Sequence, residues 1–85
     1  MDIREVFARN LRRYRRAARL SQEELAHRAE IDRTYISSLE RGVYAASIDV
    51  VDRLATALEL QAADLLIRPS TPRARKARNV FANER

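Results

Sequence analysis

The sequence predicts an all-α fold, a compact bundle of five helices, and three features carry that prediction. Helix breakers are scarce: the 85 residues hold one glycine and two prolines, and both prolines lie beyond residue 68. Ala, Leu, Arg and Glu are abundant, and all four favour helix. Apolar residues recur at three- and four-residue spacing in blocks that open on capping residues.

Residues 3–18 place Ile3, Phe7, Leu11, Tyr14 and Ala18 on one helical stripe, with Val6 alongside and arginines opposite. Ser21-Gln22-Glu23-Glu24 reads as a capping box, opening a second helix over 22–29 whose inner face is Leu25, Ala26 and Ala29. A corner at Glu30-Ile31 leads to Asp32, a good N-cap for a third helix over 33–41 with Ile36 and Leu39 inside. The single glycine, Gly42, stands where that helix would end in the left-handed conformation. Ser47 caps a fourth helix with Ile48, Val51, Leu54, Ala55 and Leu58 as its expected buried stripe. A short fifth helix over 62–67 carries Leu65, Leu66 and Ile67, and Pro69 stops it. Residues 68–85 read as a basic, flexible tail, with a helix over 74–83 docked through Val80 and Phe81 as the alternative.

Composition excludes several classes of function. Without cysteine there are no disulfides, thiolate metal sites or cysteine nucleophiles, and a single histidine, His27, rules out multi-histidine metal sites. His27 points away from the apolar face of its helix, so it reads as a solvated side chain. Phe7 and Tyr14 read as core. No metal constellation, phosphate-cradling glycine loop or nucleophile with its base can be assembled, so neither an enzyme nor a cofactor is expected. No apolar run reaches the ~18 residues of a membrane span, and Met1-Asp2-Ile3 does not begin a signal peptide, so the expected compartment is the cytoplasm.

The net charge of +5 is unevenly spread. Residues 1–20 carry seven arginines against two acids, residues 21–67 four arginines against nine acids, and residues 68–85 six cations against one. Sixteen of the seventeen cations are arginine, which suits bidentate contact with phosphate or guanine. A GC-rich genome gives the same bias, so charge points to a polyanionic partner without identifying it.

Function is concentrated in the second and third helices. Two short helices joined by a four-residue corner form a helix-turn-helix, in which one helix enters the major groove and its partner fixes the angle. Small Ala26 lets the pair approach closely, while Leu25, Ile31, Ile36 and Leu39 seal it. Arg33, Thr34, Ser37 and Ser38 form the expected exposed face, short or forked hydrogen-bonding groups suited to base edges.

Leu20-Ser21-Gln22-Glu23-Glu24-Leu25-Ala26 followed by Asp32-Arg33-Thr34-Tyr35-Ile36-Ser37-Ser38-Leu39-Glu40-Arg41-Gly42 resembles the Xre/Cro-repressor family of helix-turn-helix regulators. The resemblance runs from about Leu11 to Leu66. It implies a lambda-repressor-like DNA-binding domain, here residues 1–67, followed by the tail 68–85. The run Asp-Arg-Thr-Tyr-Ile-Ser looks especially like controller proteins of restriction–modification systems, a small dimeric branch that regulates its own promoter and a neighbouring one.

Residue roles follow from this resemblance. Arg33 reads guanine, while Thr34, Ser37 and Ser38 approach bases. Gln22, Tyr35, Arg41, Tyr44, Ser47, Arg12 and Arg15 contact the backbone, and Arg15 pairs with Glu40 to orient the third helix. The expected partners are an operator in double-stranded DNA, a second copy of the chain and RNA polymerase, with no membrane or small-molecule ligand. An antitoxin that also binds DNA is the alternative function, with residues 68–85 as its toxin-binding segment.

Two departures stand out. The corner residue is Glu30 where the family often has glycine, so a left-handed Glu30 would cost about 1 kcal/mol. The loop Val43-Tyr44-Ala45-Ala46 is unusually apolar. A small core cannot easily hide Leu58, Leu60, Leu65, Leu66 and Ile67 together, so these residues are the expected dimer interface.

Overall fold

The computed structural model describes residues 2–68. The tail expected over 68–85, with its alternative helix over 74–83, lies outside the described residues apart from Arg68. Among the described residues the order is α1 (Ile3–Ala17), α2 (Gln22–Ala29), α3 (Arg33–Glu40), α4 (Ile48–Ala57) and a 3₁₀ segment (Ala62–Leu66). The expected fifth helix is thus a 3₁₀ turn, the tighter geometry common in runs of a few residues. No helix of the described residues is long and apolar enough to cross a membrane.

Each α-helix starts on a side-chain cap. Asp2 accepts from the Arg4 N–H while Glu5 accepts from the Asp2 N–H, a capping box that the sequence reading did not anticipate. At α2 the expected box is present: Ser21 Oγ accepts from Glu24 N–H at 3.0 Å and Glu24 Oε1 accepts from Ser21 N–H at 2.8 Å. That N–H, together with the Ser21 hydroxyl, holds the Glu24 carboxyl below its ordinary pKa. The box therefore persists at neutral pH and is lost as pH falls through the depressed pKa. Asp32 caps α3 at Thr34 N–H and Ser47 caps α4 at Val50 N–H.

The four α-helices also end alike. Each terminates in a residue of positive φ, at Arg19 (61°), Glu30 (58°), Gly42 (72°) and Glu59 (60°). At every one, the next residue's N–H reaches back to a carbonyl five positions earlier: Leu20 to Arg15, Ile31 to Ala26, Val43 to Ser38 and Leu60 to Ala55. This is the Schellman arrangement, with an apolar residue just past each turn. Glycine, which adopts this conformation freely, fills only one of the four positions.

The centre of the bundle consists of Leu11, Leu25, Ile36, Leu39, Leu54 and Leu65, all fully buried. Each contributes about 1.5–3 kcal/mol of burial free energy. Phe7 is buried and Tyr14 packs against the same cluster, as expected. Ile48 is not in the core: 87% of it is exposed. As the first residue of α4 it sits beyond the buried part of the stripe, which begins at Val51. Asn10, buried on α1, donates from Nδ2 to the carbonyls of Leu65 (3.0 Å) and Ile67 (2.9 Å), tying the end of the 3₁₀ segment to α1.

The non-glycine turns leave stability to be gained. Glu59→Gly should raise unfolding free energy by about 0.5–1 kcal/mol, because relief of left-handed strain outweighs the added freedom of the unfolded chain. Urea unfolding measures this, and a destabilised variant would show that the turn carries no strain.

Candidate nucleic-acid interface

The candidate site is the outer edge of α3, and it depends on what anchors the inner edge. Glu40, in the last turn of α3, is buried, yet its carboxylate is fully partnered. Arg15 Nε donates to Glu40 Oε2 at 2.6 Å and Arg15 Nη2 to Oε1 at 3.0 Å, a bidentate pair with side chains 12% and 3% exposed. The third arm of the fork, Nη1, donates to the Leu20 carbonyl at 2.8 Å, fixing the α1–α2 connection. Hydrogen bonding to Glu40 holds the Arg15 pKa above its ordinary value, so the guanidinium keeps its charge. The expected Arg15–Glu40 pairing is therefore the geometry observed.

Two further groups converge on the same residue. Gln22 Nε2 donates to Glu40 Oε1 at 3.1 Å, and Arg12 Nη1 donates to the Glu40 backbone carbonyl at 2.9 Å. Glu40 thus links α1, α2 and α3 through side chain and backbone together. Gln22 and Arg12 were expected on DNA phosphates, and their inward bonds to Glu40 were not anticipated. Arg12 lies three residues before Arg15 on neighbouring turns of α1, a spacing that holds a signal; nothing in the sequence marks Gln22 as a partner of Glu40.

With the inner edge fixed, Arg33 and Thr34 are exposed and Ser37 is half-buried on the outer side of α3. Ser38 is not with them: it is 6% exposed, and its hydroxyl accepts from Arg41 Nη2 at 3.3 Å. Its carbonyl takes the Val43 N–H, so the turn that ends α3 folds back at Ser38 and withdraws it from the face expected to meet bases. Tyr35 is half-buried and packs against the core. Arg41, Tyr44 and Ser47 are exposed at the end of α3 and in the loop that follows, the Ser47 hydroxyl serving as the α4 cap. His27 is exposed.

The residues expected at a dimer interface divide. Leu65 is completely buried within the bundle, and Leu58 and Leu60 pack partly buried against its core. Leu66 and Ile67 are exposed, as are Ile3, Val43, Tyr44 and Ile48. Ile3, Tyr44 and Leu66 line one shallow cleft of about 80 Å³. The cleft thus brings the start of α1, the loop after α3 and the end of the 3₁₀ segment together, while Leu58, Leu60 and Leu65 pack inward.

Comparison with known proteins places this geometry in context. A helix-turn-helix domain profile matches residues 6–66. The chain is 43% identical over 68 residues to the control protein C.SmaI of Serratia marcescens, covering 80% of this chain and 81% of that one. A hypothetical transcription factor of Neisseria meningitidis is 40% identical over 68 residues, and this chain spans 64% of its length. The crystal structure of the restriction–modification controller protein C.AhdI from Aeromonas hydrophila superposes with a TM-score of 0.71 at 39% identity, over 73% of this chain and 94% of that one.

The buried pair gives a direct test. Glu40→Gln leaves the Arg15 guanidinium without its counter-ion in a poorly solvated place and should destabilise the domain by about 3 kcal/mol. Urea unfolding at neutral pH reads the difference, and a loss below about 1 kcal/mol would reduce the pair to a surface ion pair.

Proposed function

Because the chain belongs to the helix-turn-helix family of DNA-binding transcription regulators, we propose that it is a non-enzymatic, sequence-specific regulator. On this reading it acts in the cytoplasm as a symmetric dimer on a pseudo-palindromic operator, including that of its own promoter. The observation that carries the proposal is the outer edge of α3, where Arg33, Thr34 and Ser37 face away from a helix clamped at Glu40. Likeness to control proteins supports the autoregulatory part.

Arg33 reads guanine through its O6 and N7 acceptors, the commonest specific contact in the major groove. Thr34 and Ser37 meet neighbouring base edges. Gln22 opens α2, and its amide carries a second hydrogen for a phosphate, assisted by the positive end of the helix. Arg41, Tyr44 and Ser47 approach the backbone beyond the far end of α3. The basic residues of 68–85 add sequence-independent affinity. A regulator bound beside a promoter lies within reach of RNA polymerase, the protein partner this reading expects.

One recognition helix reads too few base pairs for a unique site, and a two-fold dimer doubles the site. Half-site centres are then about 10 base pairs, or ~34 Å, apart. Leu66 and Ile67, with Ile3, Tyr44 and Ile48, supply the apolar surface for the second copy.

Two measurements check the proposal. Arg33→Ala should lose about 1–3 kcal/mol on an operator selected from random sequence and relax the preference at one guanine per half-site. Equal loss on operator and random duplex would make Arg33 a phosphate contact. Leu66→Glu should sediment as a monomer with unchanged helix content and weakened operator binding. A wild-type monomer with full affinity for a single half-site would contradict the dimer.

A further inference from the structure

The carbonyls that end α3 take their donors from two places. The turn at Gly42 serves three of them: Arg41 N–H reaches Ser37 and Ser38, Gly42 N–H reaches Leu39, and Val43 N–H returns to Ser38, at 3.1–3.2 Å. The next carbonyl in line, that of Glu40, is served from another helix, since Arg12 Nη1 of α1 donates to it at 2.9 Å. Carbonyls at a helix end lack intrahelical partners, and their partial negative charge favours a cation. No residue in the last turn of α3 is basic, and the Arg41 guanidinium turns to the Ser38 hydroxyl at 3.3 Å. Half-buried Arg12 brings the Glu40 carbonyl both a hydrogen bond and a charge.

The two arginines that hold Glu40 hold different parts of it. Arg15 grips the carboxylate, so the side-chain torsions of Glu40 lie between that grip and the α3 backbone. Arg12 grips the backbone itself. Only this second bond holds α3 without a rotatable side-chain bond of α3 in between. Arg33 stands at the other end of the helix, about 10 Å along its axis. A tilt of about 5° pivoting at Glu40 therefore shifts that end by about 1 Å, more than the ~0.5 Å within which a directional contact must be placed.

We propose that Arg12 is a positioning residue for base readout: by holding the last carbonyl of α3 it sets the tilt of that helix, and it acts on specificity without touching DNA. This role rests on the reading that Arg33 meets guanine from α3. It replaces the phosphate contact expected of Arg12, and the two roles have different signatures. A phosphate contact adds affinity for every sequence and steepens the salt dependence. A positioning residue adds affinity only where a base contact has to be placed.

The test compares the full chain with Arg12→Met, which keeps the length and loses donor and charge, and with Arg12→Lys, which keeps both. Circular dichroism checks that each is folded at the temperature of measurement. Each is titrated with an operator selected from random sequence, with that operator carrying adenine in place of the guanine whose preference Arg33→Ala relaxes, and with a random duplex. Arg12→Met should cut the discrimination between the first two duplexes about fivefold, while affinity for the random duplex stays within about twofold and the salt slope is unchanged. Arg12→Lys should recover most of the discrimination. In an Arg33→Ala background, where that guanine is no longer read, adding Arg12→Met should change the discrimination by less than about twofold. Undiminished discrimination in Arg12→Met would overturn the proposal. So would an equal loss on all three duplexes with a salt slope flattened by about one per half-site, which would make Arg12 a phosphate contact. A wild-type chain with no preference among the three duplexes would remove the underlying reading of Arg33, and the proposal with it.

Discussion

A buried carboxylate is costly unless both its oxygens find donors, and Glu40 shows how that requirement organises the domain. Its side chain takes two bonds from Arg15 and one from Gln22, while its backbone carbonyl takes one from Arg12. Those donors come from α1 and from the start of α2, so the end of α3 can sit in only one orientation without leaving a charge unpaired. Arg15 passes the constraint on to the Leu20 carbonyl, just before the Ser21 cap of α2. Apolar packing alone, from Leu25, Ile36 and Leu39, would hold the helices together while permitting small rotations. Directional bonds to Glu40 remove that freedom.

The turns supply the second constraint. Four short helices leave many backbone groups unpaired at their ends, and this chain answers with the same solution each time: a side-chain cap at the start and a left-handed residue at the finish. The conformation is obligatory at Arg19, Glu30 and Glu59 even though glycine would adopt it more easily. Tertiary packing of Leu20, Ile31 and Leu60 just beyond those turns sustains the strain. The Glu30 turn sits at the corner between α2 and α3, so its cost is borne where the angle of the candidate recognition helix is set.

Much of this was legible in the sequence because caps and turns are local. Ser21, Asp32, Ser47 and Gly42 mark helix ends by chemistry that acts over three or four residues, and the observed bounds follow them closely. The Arg15–Glu40 pair came from a family resemblance, not from spacing, since the two lie 25 residues apart in the chain. What escaped lies outside helical periodicity. Asn10 looks like an ordinary polar residue on α1 until the 3₁₀ segment arrives to take its amide hydrogens. Ser38 looks exposed on a helical wheel, but the turn at Gly42 and Val43 folds back onto it. Ile48 continues an apolar stripe, yet it is left exposed while Val50 and Val51 beside it pack against the core. Asn10 finds its partners where a distant segment ends, Ser38 finds its own in the turn three to five residues on, and periodicity encodes neither.

Two surfaces stand out among the described residues: the polar edge of α3, and the cleft where Ile3, Tyr44 and Leu66 meet. The central claim is that the first of these, held by the Glu40 hub, is the surface that reads DNA. Amide chemical-shift mapping during titration with a duplex selected from random sequence tests it most directly. The largest changes should fall on Gln22, on Arg33 through Ser37 and on the loop from Val43 to Ser47, while the Arg9, Arg13 and Arg16 amides stay still. Maximal changes along the exposed face of α1, with the α3 edge unmoved, would contradict it.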